Sequence, residues 1–399
     1  MSDSDLGDDI VPSELPRHTP PPPTLRKDFK SWHRVRKQFI RERQWNHEIL
    51  FLAQRHLRRE PERPLHCLVL PSDELLDVRC LWEALQRGGC GLRFLGFNNT
   101  ISTKVRRRKM DVAESAVTQL TKVCKDSHVT GDSFQDIARN TTQAYHLFRE
   151  YGPYDVVNLD LCDSLVPRGK PGEMETNYSA LHRLLCYQLE RQKTPWLLFA
   201  TTQVDHDSAN QPEINKLAQP TRDNCDQHPP FCEALAKLIP EAAFRSGDHT
   251  LDISQLSAGQ LVHVFGVVLG KWLMPALAQA SPRCSIKLLP SYRYAIKPES
   301  GVEMLSLGFL VTPHYAPPVD VTGVSALHPT ARPFPNELES ALGLVSTAAE
   351  IRDVDQILGA DSRLREKLVH SNADLLAAAG YDRDDCLRWM AGGEREVGN

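Results

Sequence analysis

The chain has 399 residues, 51 acidic side chains against 47 Lys and Arg, and a formal net charge of −4. That length suits one large α/β domain with a small appendage, and the near-balanced charge points to no partner by itself. Ten cysteines without regular spacing, and no secretory signal before them, exclude a disulfide framework and read as reduced thiols in a cytoplasmic protein.

Residues 1–24 are acidic and then proline-rich, ending in the run Pro20 to Pro23. They cannot bury enough apolar surface to offset their ordering entropy and are expected to be disordered. Residues 25–63 carry a predicted helix, with Trp32, Val35, Phe39, Ile49, Leu52, Ala53 and Leu57 at roughly helical spacing. Its first half is basic, with Arg26, Lys27, Lys30, Arg34, Arg36, Lys37, Arg41 and Arg43. One face would pack on the main domain and the other would meet solvent or phosphate. A second basic run, Lys104 with Arg106, Arg107, Arg108 and Lys109, strengthens that expectation. Two basic clusters in an acidic chain name nucleic acid or another polyanion as the expected partner, through Arg34, Lys37, Arg41, Arg106, Arg107 and Arg108.

Residues 64–315 alternate strand and helix. A strand over 65–70 leads to a helix capped by Ser72 or Asp73, with Leu75, Leu76, Val78, Leu81 and Leu85 on its apolar face and Gly88-Gly89 at its end. A strand over 92–97, a helix over 111–125 and a brief strand over 128–130 follow, then Gly131-Asp132-Ser133 and a helix through Ile137, Ala144, Leu147 and Phe148. The strand over 155–159 stops in a polar cluster, Asn158, Asp160 and Asp163. Ligands in an open α/β sheet bind just beyond the carboxyl ends of the strands, so this ending marks the floor of a site. A helix over 178–192 and a strand over 195–201 come next. Beyond them lie the polar run Thr201, Thr202, Gln203, Asp205, His206 and Asp207 and an irregular stretch to about 229. Cys225, His228 and Cys232 are spaced like metal ligands but lack a second pair, so no metal site is expected.

Helices are expected over 230–238 and 255–280. The most apolar run, 261–278, contains His263, Lys271 and Pro275 and is broken by Gly266 and Gly270. A spanning helix needs about 20 residues with few or no charges, so this run reads as a buried core helix and no membrane partner is expected. Strands over 285–296 and 302–311, joined by Lys297-Pro298-Glu299-Ser300-Gly301, form a closing antiparallel hairpin. The stretch 316–335 is a linker, and 336–399 is a helical region that packs on the sheet domain or on a protein partner, with Asp382 or Asp384 capping its last helix.

A mostly parallel α/β sheet with helices on both faces and a terminal antiparallel hairpin resembles the class I S-adenosylmethionine-dependent methyltransferase fold over residues 64–315. The resemblance implies S-adenosylmethionine as cofactor. It places Ser72 and Asp73 in the turn over the cofactor, which reads Leu70-Pro71-Ser72-Asp73-Glu74 with no glycine. It places Asn98 where the family keeps the acidic residue that holds the ribose, Asp132 on the adenine amino group and Phe134 on the ring. Asn158 and Asp160 fall where the family keeps its reaction-site residues, to orient an amine or accept a proton from a hydroxyl.

Three readings stay open: a methyltransferase, its acceptor perhaps a nucleic acid; a methyltransferase-like module without catalysis that binds nucleic acid or a partner protein; and another cofactor-binding α/β enzyme. Walker, dinucleotide-binding and nucleophile-elbow motifs are all absent.

Overall fold

The first strands are short and almost continuously apolar, the pattern of a parallel sheet covered on both faces. In a computed structural model they are β1 (Leu65–Val69), β2 (Leu92–Phe97), β3 (His128–Thr130), β4 (Val156–Asp160) and β5 (Trp196–Val204). The structure describes residues 28–56, 63–161, 163–167, 176–205, 210–239, 251–295, 303–315 and 334–392. The expected tail over 1–24, Arg26, Lys27, His206 and most of the linker over 316–335 lie outside the described residues.

The N-terminal region forms α1 (Val35–Ile40), a π-helical stretch over Arg41–Asn46, and α2 (His47–His56). Between the parallel strands run α3 (Leu76–Arg87), α4 (Lys104–Thr118), α5 (Gln143–Tyr151) and α6 (Asn177–Arg191). Then come α7 (Gln211–Gln227), α8 (Pro229–Ala236), α9 (Ala258–Gln279), β6 (Arg283–Leu288), β7 (Tyr292–Ala295) and β8 (Glu303–His314). The chain closes with α10 (Glu337–Ala349), β9 (Arg352–Asp353), α11 (Val354–Ala360), α12 (Ser362–Ala378) and α13 (Arg383–Ala391).

The sheet order is β3-β2-β1-β4-β5-β8-β7-β9, with β6 also paired to β8. Strands β1 to β5 are parallel, and β8 runs antiparallel to β5 from Trp196↔Val311 to Val204↔Glu303. Both β6 and β7 pair antiparallel with β8, so the closing antiparallel unit forms, but the single strand expected over 285–296 is two strands broken at 289–291, and the expected turn over 297–301 lies outside the described residues. Between β6 and β7 the Gln44 side chain enters: its amide donates to the Pro290 carbonyl at 3.0 Å and the Ser306 carbonyl at 2.9 Å. Ser306 Oγ donates back to Gln44 at 2.6 Å and also meets Thr201 Oγ1 at 2.9 Å.

Local chemistry moves several boundaries. The basic run at 104–109 belongs to α4, because Thr103 caps it and starts the helix seven residues before the expected position. Strand β5 extends to Val204 because β8 offers a ladder partner that far, which puts Thr201, Thr202 and Gln203 in the sheet rather than in a polar loop. The stretch expected to be irregular up to 229 is mostly α7, with Pro212 in its first turn, where a missing N–H costs nothing. Neither Ser72 nor Asp73 caps α3; Leu75 holds the N-cap position at φ 55°, in the left-handed region. The expected helices over 364–369 and 373–379 are one continuous α12, and Asp382 caps α13.

One sheet face packs on α5, α6, α7, α9 and α10, the other on the N-terminal helices, α3, α4, α11 and α12. Helix α9 is the one helix among the described residues long and apolar enough to cross a membrane; 72% of its apolar window is buried, and it packs on α7, α10 and β6. The C-terminal helices dock on the N-terminus. Asn372 donates to the His33 carbonyl at 2.6 Å, Phe29 stacks on Trp389 at 4.8 Å, and Arg36 pairs with Asp355.

The close approach that a glycine-rich turn would supply comes from β2 instead. A Cβ on Gly96 would stand 3.0 Å from Pro71 Cγ and 3.0 Å from Val129 Cγ2, so the turn after β1 lies directly on the β2 backbone. Gly96→Ala is therefore expected to destabilise by about 1–3 kcal/mol through overpacking. Urea unfolding would read it, and an unchanged midpoint would mean that the turn does not press on β2.

Candidate functional site

Strand periodicity sets which side chains face the N-terminal helices. Val156, Asn158 and Asp160 share a face of β4, and Val156 belongs to the core cluster that holds Phe39, Trp45, Phe199 and Leu75. Asn158 stands beside Val69 of β1 and Phe199 of β5. The carboxyl ends of β1 and β4 thus open beneath α1 and the π-helical stretch.

The basic helix turns part of its charge inward. Lys37 and Arg41 are only 4% and 2% exposed. Lys37 Nζ pairs with Asp160 and lies 4.5 Å from the Trp45 ring centroid. Arg41 Nε donates to Asp77 in the first turn of α3 at 2.6 Å. This corrects the expectation that Lys37 and Arg41 meet nucleic acid: both are buried in ion pairs, with no free donor facing solvent. Arg34, half-buried, lies over the Trp389 ring at 4.6 Å. On α4, Arg106 and Arg108 are exposed, while Arg107 pairs with Asp111 at 2.7 Å and donates to the Val129 carbonyl at 3.1 Å.

Burial alone would lower the Lys37 pKa; Asp160, with Tyr294 and Asp77, reverses that and holds the ammonium above its ordinary value. Burial pushes the Asp160 carboxyl up, and Lys37 and Arg41 draw it part of the way back. Burial also raises the Tyr294 hydroxyl against the pull of the Lys37 charge to which it is hydrogen-bonded. Two cations and two carboxylates form a closed, nearly neutral cluster of charge at the strand ends.

Three polar atoms around this cluster are buried without a hydrogen-bond partner among the described residues: Asn158 Oδ1, Trp45 Nε1 and Arg41 Nη1. Native interiors leave few such atoms; others lie elsewhere in this core, such as Glu213 Oε2, Thr221 Oγ1 and Asn372 Oδ1. The three around the cluster are one acceptor and two donors.

The other expected site residues fall around the same strand ends in different states. Asn98 is spent: its Nδ2 donates to the Pro71 carbonyl at 2.9 Å, and its Oδ1 accepts from the Thr100 N–H at 3.0 Å. The place expected for ribose recognition is thus occupied by bonds that tie the β1 turn to β2. Asp73 lies 3.4 Å from Asn98 Nδ2, and the Ser72 carbonyl accepts from Leu75 N–H at 3.1 Å. Asp132 is half-buried and takes a hydrogen bond on Oδ2 from Thr130 at 2.5 Å, while no bond from the described residues engages its Oδ1. Phe134 is 4% exposed and packs edge-on against Phe97 at 6.3 Å, so it is a core residue rather than an open stacking platform. Among the described residues no group of three or more His, Cys, Asp or Glu could hold a metal ion.

The residues that sequence reasoning missed are Asp77, Tyr294, Trp45 and Gln44. A signal existed: Lys37, Arg41 and Trp45 recur every four residues alongside the apolar Phe39, Ile40 and Ile49.

The mostly parallel sheet, closed by antiparallel strands and covered by helices on both faces, makes this a Rossmann-like α/β protein. A family model described as PP_RS20740-like matches residues 26–391, and the chain belongs to that family. No curated protein matches. Among solved structures, the chain is similar to a Clostridium thermocellum protein assigned as an rRNA-methylase. The identity is 10% and the TM-score 0.25, over 64% of this chain and 95% of that one. It is also similar to an O-methyltransferase family protein from Burkholderia thailandensis at 11% identity and a TM-score of 0.26, over 71% of this chain and 63% of that one. At such values neither likeness bears on activity.

Removing one member of a buried ion pair strands the other, at a cost of about 3–5 kcal/mol. Lys37→Met and Asp160→Leu should each destabilise by about that much, and the double variant by much less than the sum. A double-mutant cycle in guanidinium checks this; additive losses would show that the two charges do not depend on each other.

Proposed function

We propose that this protein is an S-adenosylmethionine-dependent methyltransferase whose donor site is roofed by its own N-terminal helix. The observation that carries the reading is the trio of buried, unpartnered atoms at the strand ends, Asn158 Oδ1, Trp45 Nε1 and Arg41 Nη1. Leaving such groups unpaired costs about 1–3 kcal/mol each, a penalty that a ligand with matching groups removes. Arg41 and Trp45 would take the carboxylate of the methionine end, and Asn158 its ammonium. Asp132 would take the adenine amino group on its unengaged oxygen.

When bound, the donor supplies a reactive sulfonium, so the chain's work is placement and exclusion of water. Lys37, locked to Asp160 and hydrogen-bonded to Tyr294, fixes the acceptor side of the site. Asp160 serves as a fixed anion that orients an incoming amine or hydroxyl. Nucleic acid as acceptor no longer draws support from Lys37 or Arg41.

A second reading is a methyltransferase-like module without catalysis. The observation that favours it is Asn98, whose amide is fully spent on Pro71, Asp73 and Thr100.

Calorimetric titration with S-adenosylmethionine and S-adenosylhomocysteine separates the two. Micromolar binding is expected for the native chain. Trp45→Phe keeps the ring but removes the indole N–H and should weaken binding about tenfold, the worth of one hydrogen bond. No heat with either ligand at millimolar concentration would overturn the donor reading in favour of the second. Binding unaffected by Trp45→Phe and by Asn158→Ala would move the donor away from this cluster.

A further inference from the structure

On the other side of the same helix, an open groove of about 680 Å³ lies between the π-helical stretch, the β6–β7 connection, β9 and α12. Its cations come from three separated parts of the chain: Arg43, Arg352, and the pair Arg363 and Lys367 one turn apart on α12. All four are exposed. Arg43, Arg363 and Lys367 have no hydrogen-bond or ion-pair partner among the described residues. Several other surface arginines are matched with carboxylates, as in Arg93–Asp126, Arg139–Asp136, Arg383–Asp374 and Arg388–Asp385, while Arg106 and Arg108 on α4 and Arg365 on α12 are exposed without an ion pair among the described residues but do not converge on a groove.

The lining also holds two acids, Glu48, 3.1 Å from His47 Nδ1, and Asp361, which caps α12 by accepting from the Leu364 N–H at 2.9 Å, so four cations face two carboxylates. Arg352 lies over the Tyr292 ring at 4.8 Å and donates to the Tyr292 hydroxyl at 2.6 Å, which holds its guanidinium at the groove floor. In a chain of net charge −4, this is a concave, locally positive surface with its countercharges left open.

We infer that this groove, with Arg43, Arg352, Arg363 and Lys367, is a phosphate-binding site. The fork of a guanidinium matches phosphate oxygens in pairs, and three arginines with one lysine suit consecutive phosphates rather than a single carboxylate. The volume lies in the range of nucleotide-sized ligands, and the open shape admits a strand as well. The phosphates come either from a nucleic-acid backbone or from a free polyphosphate. The inference uses none of the residues on which the donor reading rests.

The test uses the full chain and a labelled single-stranded DNA of about 16 nucleotides, read by fluorescence anisotropy between about 50 and 200 mM salt. Inorganic pyrophosphate serves as competitor. The native chain is expected to bind. The exposed triple substitution Arg43→Ala, Arg363→Ala and Lys367→Ala should weaken binding at least tenfold and flatten the salt slope by about 2, at about 0.7 per phosphate contact. Arg106→Ala with Arg108→Ala on α4 serves as the comparison and should change little. Displacement of the strand by pyrophosphate would mark a compact polyphosphate as the source; strand binding that pyrophosphate cannot displace would mark the nucleic-acid backbone. Binding of neither probe, or a loss produced by the α4 variant and not by the groove variant, would overturn the proposal.

Discussion

A lysine ammonium buried at 4% exposure dictates how the N-terminal segment sits. Taking that charge out of water is expensive unless an anion meets it, and the anion is Asp160 at the carboxyl end of β4. Arg41 repeats the demand one turn later and is met by Asp77 on α3. The helix therefore has one workable azimuth and one workable height over the strand ends. The π-helical stretch Arg41–Asn46 makes that placement possible. Four of its six residues, Arg41, Gln44, Trp45 and Asn46, are buried, a wider inward arc than one stripe of an α-helix presents. Arg41 and Trp45 reach the polar cluster, and Gln44 reaches β8 through the break between β6 and β7.

This seating binds the ends of the chain to its middle. The C-terminal helices close over α1 through Asn372, Trp389 and Asp355, and β9 extends the sheet beside β7. The region expected to be an appendage thus shares the core that positions the strand ends. It also supplies Arg352, Arg363 and Lys367, the cations that face Arg43 across the groove.

The strands were legible because a parallel sheet buried on both faces writes itself as short apolar runs, and the antiparallel closing pair carried its own turn signals. Asn158 and Asp160 were legible as polar residues at a strand's carboxyl end, where a ligand or a helix cap would use them. Their partners were not legible. Lys37 and Asp160 are 123 residues apart, and an isolated lysine in a basic run reads as a solvated one. Periodicity counts apolar residues, so a charged side chain paired inside the fold counts against its own burial. Asn98 shows the reverse: the position at the end of β2 was legible, but its amide is committed to the Pro71 carbonyl and to Thr100, contacts set by a turn that lies on Gly96. Helix α7 was hidden by its proline and amide content, which signal loops when the burial of Ile214, Leu217 and Ala218 is not yet known.

The same ion pairs limit how a ligand reaches the strand ends. Lifting the N-terminal helix would part Lys37 from Asp160 and Arg41 from Asp77 together, leaving four charges short of partners, and would pull Gln44 out of the sheet. A helix held in this way is a fixed wall and not a hinged lid. The donors and acceptor left open beneath it, Trp45 Nε1, Arg41 Nη1 and Asn158 Oδ1, sit beside charges that already cancel. A ligand group that enters there must bring both a positive and a negative end, because a lone ion would unbalance a cluster with little water to screen it. On the proposed donor reading, that constraint favours a zwitterionic end over a simple anion at the strand ends. The groove on the far side of the helix, with its cations unpaired and exposed, makes the opposite selection. One helix therefore separates two surroundings of different charge, a buried and nearly neutral cluster and an exposed cationic groove, and Arg41 and Arg43, two residues apart, mark the boundary between them.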